Sequence, residues 1–158
     1  MLNAGIAGDT LIGMSDRLDR DVIRYQPDLV IINGALNWSS ELGTGQDYSE
    51  LLRSIVERVR KGTGADIILL TPNGDLPNTL FGGDAPPETG TAERAEIIRS
   101  VAWEQSVCLV DVHRIWEKAR EQGCPWEKGL ANGVNHPGVE GHEVYAVALM
   151  KLLEEKAI

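Results

Sequence analysis

Asp28-Leu29-Val30-Ile31-Ile32-Asn33-Gly34-Ala35-Leu36-Asn37-Trp38 runs a short, unbroken apolar segment into a turn of Asn and Gly. Four apolar residues rich in Val and Ile, bounded by Asp28 and Asn33, predict a strand. The lack of polar alternation predicts that both of its faces are covered, as in a parallel sheet between helices. Two further segments repeat the pattern, Asp66-Ile67-Ile68-Leu69-Leu70-Thr71 and Val107-Cys108-Leu109-Val110-Asp111.

The stretches between these strands carry helical spacing. Leu51, Leu52, Ile55, Val56 and Val59 mark a helix through Tyr48 to Lys61, with Gly62 and Gly64 as its stop. A second helix is expected from Thr91 to Gln105, with Ile97, Ile98, Val101 and Ala102 as its buried stripe. A third passes through Ile115, Trp116 and Ala119, and a fourth runs from Val139 to Glu155, with Val144, Val147, Ala148, Met150 and Leu152 available to pack on the sheet. Strands alternating with helices predict a doubly wound parallel sheet in a three-layer α/β/α sandwich. Ligands in such folds sit at the carboxyl ends of the strands.

Toward the N-terminus, Leu11, Met14, Leu18, Val22 and Ile23 predict a helix from Thr10 to Tyr25, closed by Pro27, with something strand-like before it. Pro72 to Gly90 is too long and too broken by Gly and Pro for a simple connection. It reads equally as a surface excursion and as a lid or pocket wall on the substrate side.

At 158 residues, the chain fits a single domain spanning 1–158. A formal net charge of -9 would repel a phosphate backbone, so nucleic acid is not an expected partner. The apolar runs are strand-sized and far short of the roughly 20 residues that cross a bilayer. Cys108 and Cys124 lack the spacing of a zinc or redox motif, and Cys108 is expected to be a buried free thiol. Met1-Leu2-Asn3-Ala4-Gly5 holds no export signal, which makes the cytoplasm the default compartment and leaves open what precedes Met1.

Three segments rich in Gly, Asn and His belong to the rim of such a fold: Asn3-Ala4-Gly5-Ile6-Ala7-Gly8-Asp9-Thr10, Asn33-Gly34-Ala35-Leu36-Asn37-Trp38 and Asn132-Gly133-Val134-Asn135-His136-Pro137. Acyl transfer needs a nucleophile, a histidine base beside it and donors aimed at the developing oxyanion. Gly8, by its backbone N–H, and Asn37, by its side-chain amide, are candidate donors; His136 is the candidate base.

In this order the segments resemble the later blocks of the SGNH, or GDSL-type, hydrolase family. Gly8 matches the glycine of the family's second block, Asn37 the asparagine of the third, and His136 the histidine base of the fifth, with Gly141-His142 like the Gly-His pair that often follows. The resemblance implies a serine esterase acting on carboxylic esters of small molecules, with an acyl or sugar ester as substrate and no cofactor. It also implies a sheet of the flavodoxin-like SGNH type, and it covers essentially the whole chain.

Three departures accompany it. The family's Gly-Asp-Ser block, which carries the serine nucleophile on the first strand, belongs before the second block, and no Gly-Asp-Ser occurs here. The sequence therefore reads as one lacking that strand, which would leave a central sheet edge open and favour association, including homo-oligomers. In the third block, Ala35 and Trp38 stand where Gly and Asp are usual. The usual acid partner of the histidine lies three or so residues before it, a neighbourhood held here by Gly133 and Asn132; Asn132 and His142 are the supporting candidates.

No residue present is a convincing substitute nucleophile. Thr10 reads as a helix cap, Ser15 as an exposed helical position, and Ser39 and Ser40 as loop or cap residues. His113 reads as a surface or partly buried residue at a helix start. The spacing of His113, His136 and His142 does not suit a metal, and Gly5 and Gly8 do not complete a dinucleotide fingerprint. Whether the chain turns over substrate is left open between two readings. One is the bulk of an active esterase; the other is an inactive hydrolase-like domain that binds a ligand or completes its sheet with a partner chain.

Overall fold

The computed structural model describes residues 1–75 and 90–156. Strands β1 (Leu29–Ile32), β2 (Asp66–Leu70) and β3 (Cys108–Val110) form a parallel sheet in the order β1-β2-β3. Leu29 pairs with Asp66 and Ile32 with Leu69, while Ile68 pairs with Cys108 and Leu70 with Val110. Each crossover is helical. The elements in chain order are α1 (Leu11–Asp16), α2 (Leu18–Asp21), β1, α3 (Gly45–Thr63), β2, α4 (Thr91–Gln105), β3, α5 (Val112–Glu121) and α6 (Val139–Lys156).

The side-chain alternation of β2 builds two cores. Ile67 and Leu69 pack with Val30, Ile32 and the buried faces of α3 and α4. Ile68 and Leu70 point the other way, onto Val110, Trp116, Leu130 and Tyr145, the layer made by α5 and α6. A strand buried on both faces explains why β2 reads as an unbroken apolar run.

Helix α3 begins before the expected Tyr48, because Thr44 and Asp47 form a reciprocal capping box: Thr44 Oγ1 accepts from the Asp47 N–H and the Asp47 carboxylate accepts from the Thr44 N–H. It ends at Gly64, whose φ of 73° supplies the left-handed cap. Helix α4 has the bounds expected of it.

Four expectations need correction. The single helix over Thr10–Tyr25 is instead α1, α2 and a 3-10 turn at Ile23–Tyr25, broken at Arg17 and Val22. Arg17 leaves the helical register while its guanidinium gathers Asp9, Asp21 and the Ala4 carbonyl. Second, no strand precedes Thr10 among the described residues. Third, β1 is covered on one face only, since Leu29 and Ile31 are 38% and 44% exposed. Fourth, Val147 and Met150 of α6 face outward at 68% and 56% exposure; Tyr145 and Leu149 pack inward with Val144, Ala148 and Leu152.

Cys108 is half-buried rather than buried, and both cysteines are free. The loop expected at Pro72–Gly90 lies mostly outside the described residues, and with it the lid reading. No described helix is long and apolar enough to cross a membrane.

Candidate active site

The first part of the site is a tight turn. The Asp9 N–H donates to the Ile6 carbonyl at 3.2 Å, closing a turn with Gly8 in its third position at φ 74°. That conformation suits glycine, and a Cβ there would strain the backbone although nothing lies within 4 Å of it. The Asp9 side chain fixes the turn from within: it accepts from the Thr10 N–H at 2.9 Å and pairs with the half-buried Arg17 at 2.6 Å. Thr10 then caps α1 by accepting from the Gly13 N–H, the role its sequence context gives it.

Asn37 sits against this turn. Its Nδ2 donates to the Asp9 carbonyl at 2.9 Å, tying the segment after β1 to the Gly8 turn. One amide hydrogen is committed by that bond, and the second, like the Gly8 N–H, has no protein acceptor among the described residues. The neighbours that depart from the family pattern are core residues. Ala35 and Trp38 are 1% and 6% exposed; Trp38 stands edge-on to Tyr48 and donates its ring N–H to the Gly43 carbonyl. Buried Arg94 donates to the Trp38 carbonyl at 3.1 Å, so the backbone beside Asn37 is pinned from below. Burial lowers the Arg94 guanidinium from its ordinary value.

The third part is the His136 loop, which folds back on itself. The Ala131 N–H donates to the His136 carbonyl at 2.8 Å, Leu130 bridges Pro137, and Gly133 turns the chain at φ 68°. Asn132 organises the interior of the loop by accepting the N–H groups of Val134, Asn135 and His136 at 3.0, 2.9 and 2.9 Å. His136 is exposed, and its Nδ1 faces Asn135 Oδ1 at 2.7 Å and Asn132 Nδ2 at 2.9 Å.

Sequence reasoning missed what anchors this loop to the sheet. Asn73, fully buried just beyond β2, donates from Nδ2 to the Asn135 carbonyl at 2.8 Å and to the Gly74 carbonyl at 2.8 Å. The Tyr145 hydroxyl of α6 donates to Asn73 Oδ1 at 3.0 Å and accepts from the Asn73 N–H at 2.8 Å. The legible signal was a polar residue followed by glycine, Asn73-Gly74, at the carboxyl end of an apolar strand.

A second network lies beside it. Arg99 grips Asp111 through Nε at 2.8 Å and Nη2 at 2.9 Å, and Thr71 donates to Asp111 at 3.1 Å while accepting from the His113 N–H. Burial pushes the Asp111 carboxyl up, but the bonds from Arg99, the Arg114 N–H and Thr71 outweigh it and hold it below the usual carboxylate range. His113 is buried at 8% exposure, deeper than expected, and that burial pushes its imidazole down.

The structure thus joins Asn37 to the Gly8 turn through the Asp9 carbonyl, and joins the His136 loop to the end of β2 through Asn73; no described hydrogen bond links His136 to Gly8 or Asn37. His142 lies in the first turns of α6, exposed and tilted over Tyr145 at 6.5 Å between ring centroids. Its neighbour Gly141 is fixed by packing, because a Cβ would meet the Gly129 carbonyl oxygen at 2.4 Å and Pro137 at 2.8 Å. Ser15, expected to be exposed, is half-buried and accepts from Arg58 at 2.9 Å. No group of three or more His, Cys, Asp or Glu among the described residues is placed to hold a metal.

Comparison with known proteins matches residues 1–144 to the family described as GDSL-like lipase/acylhydrolase. An acetylxylan esterase of Geobacillus stearothermophilus is 27% identical over 162 aligned positions, covering 96% of this chain and 70% of the relative. The crystal structure of a catalytic mutant of an acetylxylan esterase from the same organism superposes with a TM-score of 0.77 at 25% identity, over 94% of this chain and 69% of that one. A lipase/acylhydrolase from Enterococcus faecalis shares the fold, with a TM-score of 0.75 at 19% identity over 94% and 72% of the two chains.

Proposed function

The chain belongs to the GDSL-like lipase/acylhydrolase family, and from that premise we propose that it carries the base and the oxyanion donors of a serine esterase. His136 takes and returns the proton. The Gly8 N–H and the second Asn37 amide hydrogen hold the charge that develops on the carbonyl oxygen. The observation that carries this reading is the 2.9 Å bond from Asn37 Nδ2 to the Asp9 carbonyl, which fixes two donors from different segments in one rim element. Donors held before reaction cost no reorganisation in the transition state, which is where such a site gains its rate.

The nucleophile, on this reading, is a serine on a strand that pairs with the outer edge of β1. Supporting it, that edge has no partner among the described residues, and Leu29 and Ile31 leave an apolar face uncovered beside it. The substrate class is an acetyl ester with a carbohydrate alcohol, by similarity to the acetylxylan esterase. Translating the coding DNA upstream of Met1 tests the proposal. An in-frame strand-like segment ending in Gly-Asp-Ser supports it, and a frame without such a serine sinks it.

A second reading is a binding domain without turnover, favoured by Gly133 and Asn132 where a carboxylate is usual. It predicts saturable binding of acetylated xylo-oligosaccharides without their hydrolysis. It also predicts that His136→Ala leaves that binding intact.

A further inference from the structure

We propose that the amide oxygen of Asn135, oriented by Asn132, is the group that fixes His136 in its Nδ1–H tautomer, in place of a carboxylate. The inference rests on His136 being the base, and it makes Asn135 and Asn132 positioning residues for that base.

The orientation of the Asn132 amide follows from its partners. One end of its amide receives the N–H groups of Val134, Asn135 and His136 at 3.0, 2.9 and 2.9 Å, and an atom that accepts three donors is the oxygen. Its Nδ2 therefore lies at the other end, where it faces the Asn135 side chain at 3.0 Å. An NH2 group at that distance requires an acceptor, so Asn135 presents Oδ1 and not Nδ2. The same oxygen lies 2.7 Å from His136 Nδ1. An oxygen and a ring nitrogen approach so closely only with a hydrogen between them, and the amide oxygen has none to give. The proposal assigns the hydrogen to this 2.7 Å contact, so that Nδ1 carries the proton and Nε2 keeps its lone pair. Asn132 Nδ2 stands 2.9 Å from the same ring nitrogen; on this proposal its two hydrogens go to Asn135 Oδ1 and to solvent, and not to the ring.

The chain of orientation matters because an amide can face a histidine either way round. Turned over, Asn135 would donate to Nδ1 and put the ring proton on Nε2, where it would block proton abstraction. Replacing the triad carboxylate of a serine protease by an amide does this, at a cost of roughly 10⁴-fold in kcat. Here three backbone N–H groups orient Asn132, Asn132 orients Asn135, and Asn135 orients the ring. The main chain of Asn135 is held as well, through the bond from Asn73 Nδ2 to its carbonyl at 2.8 Å. The reading accounts for an uncharged loop where an acid is usual, since the tautomer depends on an acceptor and not on a charge.

The test reads the ring proton directly, by two-bond nitrogen–proton correlation spectra of the chain labelled with ¹⁵N-histidine at a pH where the rings are neutral. The His136 signals are assigned by their loss in His136→Gln. The proposal expects a pyrrole-type Nδ1 and a pyridine-type Nε2 in the unsubstituted chain. It expects the same pattern in Asn135→Asp, which retains the acceptor. In Asn135→Leu only Asn132 Nδ2 faces the ring, so the proton should move to Nε2. A dominant Nε2–H form in the unsubstituted chain overturns the proposal, as does an unchanged Nδ1–H form in Asn135→Leu. No substrate enters the measurement, so a failure of the esterase reading leaves this result standing, and a failure here leaves turnover to be judged separately.

Discussion

The Tyr145 hydroxyl and Asn73 exchange two hydrogen bonds, at 2.8 and 3.0 Å, across 72 residues of chain, and so join α6 to the carboxyl end of β2 beneath the His136 loop. Tyr145→Phe removes one oxygen and strands a buried N–H and a buried carbonyl oxygen of Asn73. The expected loss is about 1–3 kcal/mol of unfolding free energy, read from urea denaturation. Asn73→Ala should cost stability as well, and should release the Asn135 carbonyl, loosening the loop that bears His136.

The same hydroxyl sets an alkaline limit. Burial pushes Tyr145 up to about 12. The unfolded phenol loses its proton near 10 while the folded one keeps it, so the folded state binds more protons in that window and stability falls as pH rises. Tyr145 is expected to contribute a loss on the order of 2–3 kcal/mol between pH 10 and 12. Tyr145→Phe should remove its share of that slope in denaturation curves taken across the window, leaving the share of buried Tyr48, whose phenol burial also pushes up.

On the acid side, His113 and Asp111 act together. Burial pushes His113 down; Glu117, Asp111 and Asp75 pull it the other way, and Arg99 adds to the depression. A histidine with a depressed folded value contributes stability above its unfolded value of about 6.5, and that contribution is lost as pH falls through the folded value. Asp111, also held below its ordinary range, adds a second loss below about pH 4. Thermal melts should therefore fall in two stages on acidification, and His113→Gln should abolish the first.

Gly141→Ala tests the packing under the loop. The new methyl would meet the Gly129 carbonyl and Pro137, both parts of the loop's frame, so the first turn of α6 must shift. Overpacking of this kind costs about 1–3 kcal/mol. The amide resonances of residues 129–137 should move more than those of α3.

Much of this architecture was legible in the residues. The strands were readable because β2 needs apolar side chains on both faces and has them at every position from Ile67 to Leu70. Helix α4 was readable from its buried stripe. The break at Arg17 was not, because it comes from ion pairs and a carbonyl contact reached through space, while the apolar spacing continues across it. Nor was the exposed face of β1, since Leu29 and Ile31 look the same in sequence whether or not a layer covers them. In the site, Gly8, Asn37 and His136 stood out through their order in the chain. Tyr145 did not, and Asn73 carried only the faint signal of an Asn-Gly pair after β2, since their partnership spans two layers.

The central claim is that His136 and the Gly8–Asn37 rim serve ester hydrolysis. Its most direct measurement is the turnover of p-nitrophenyl acetate by the protein expressed from its reading frame extended upstream of Met1, compared with the same protein bearing His136→Ala or Asn37→Ala. Turnover should fall roughly 10²–10⁴-fold on loss of the base and roughly 10²–10³-fold on loss of the oxyanion donor. Absent turnover, or turnover that survives His136→Ala unchanged, would contradict the claim.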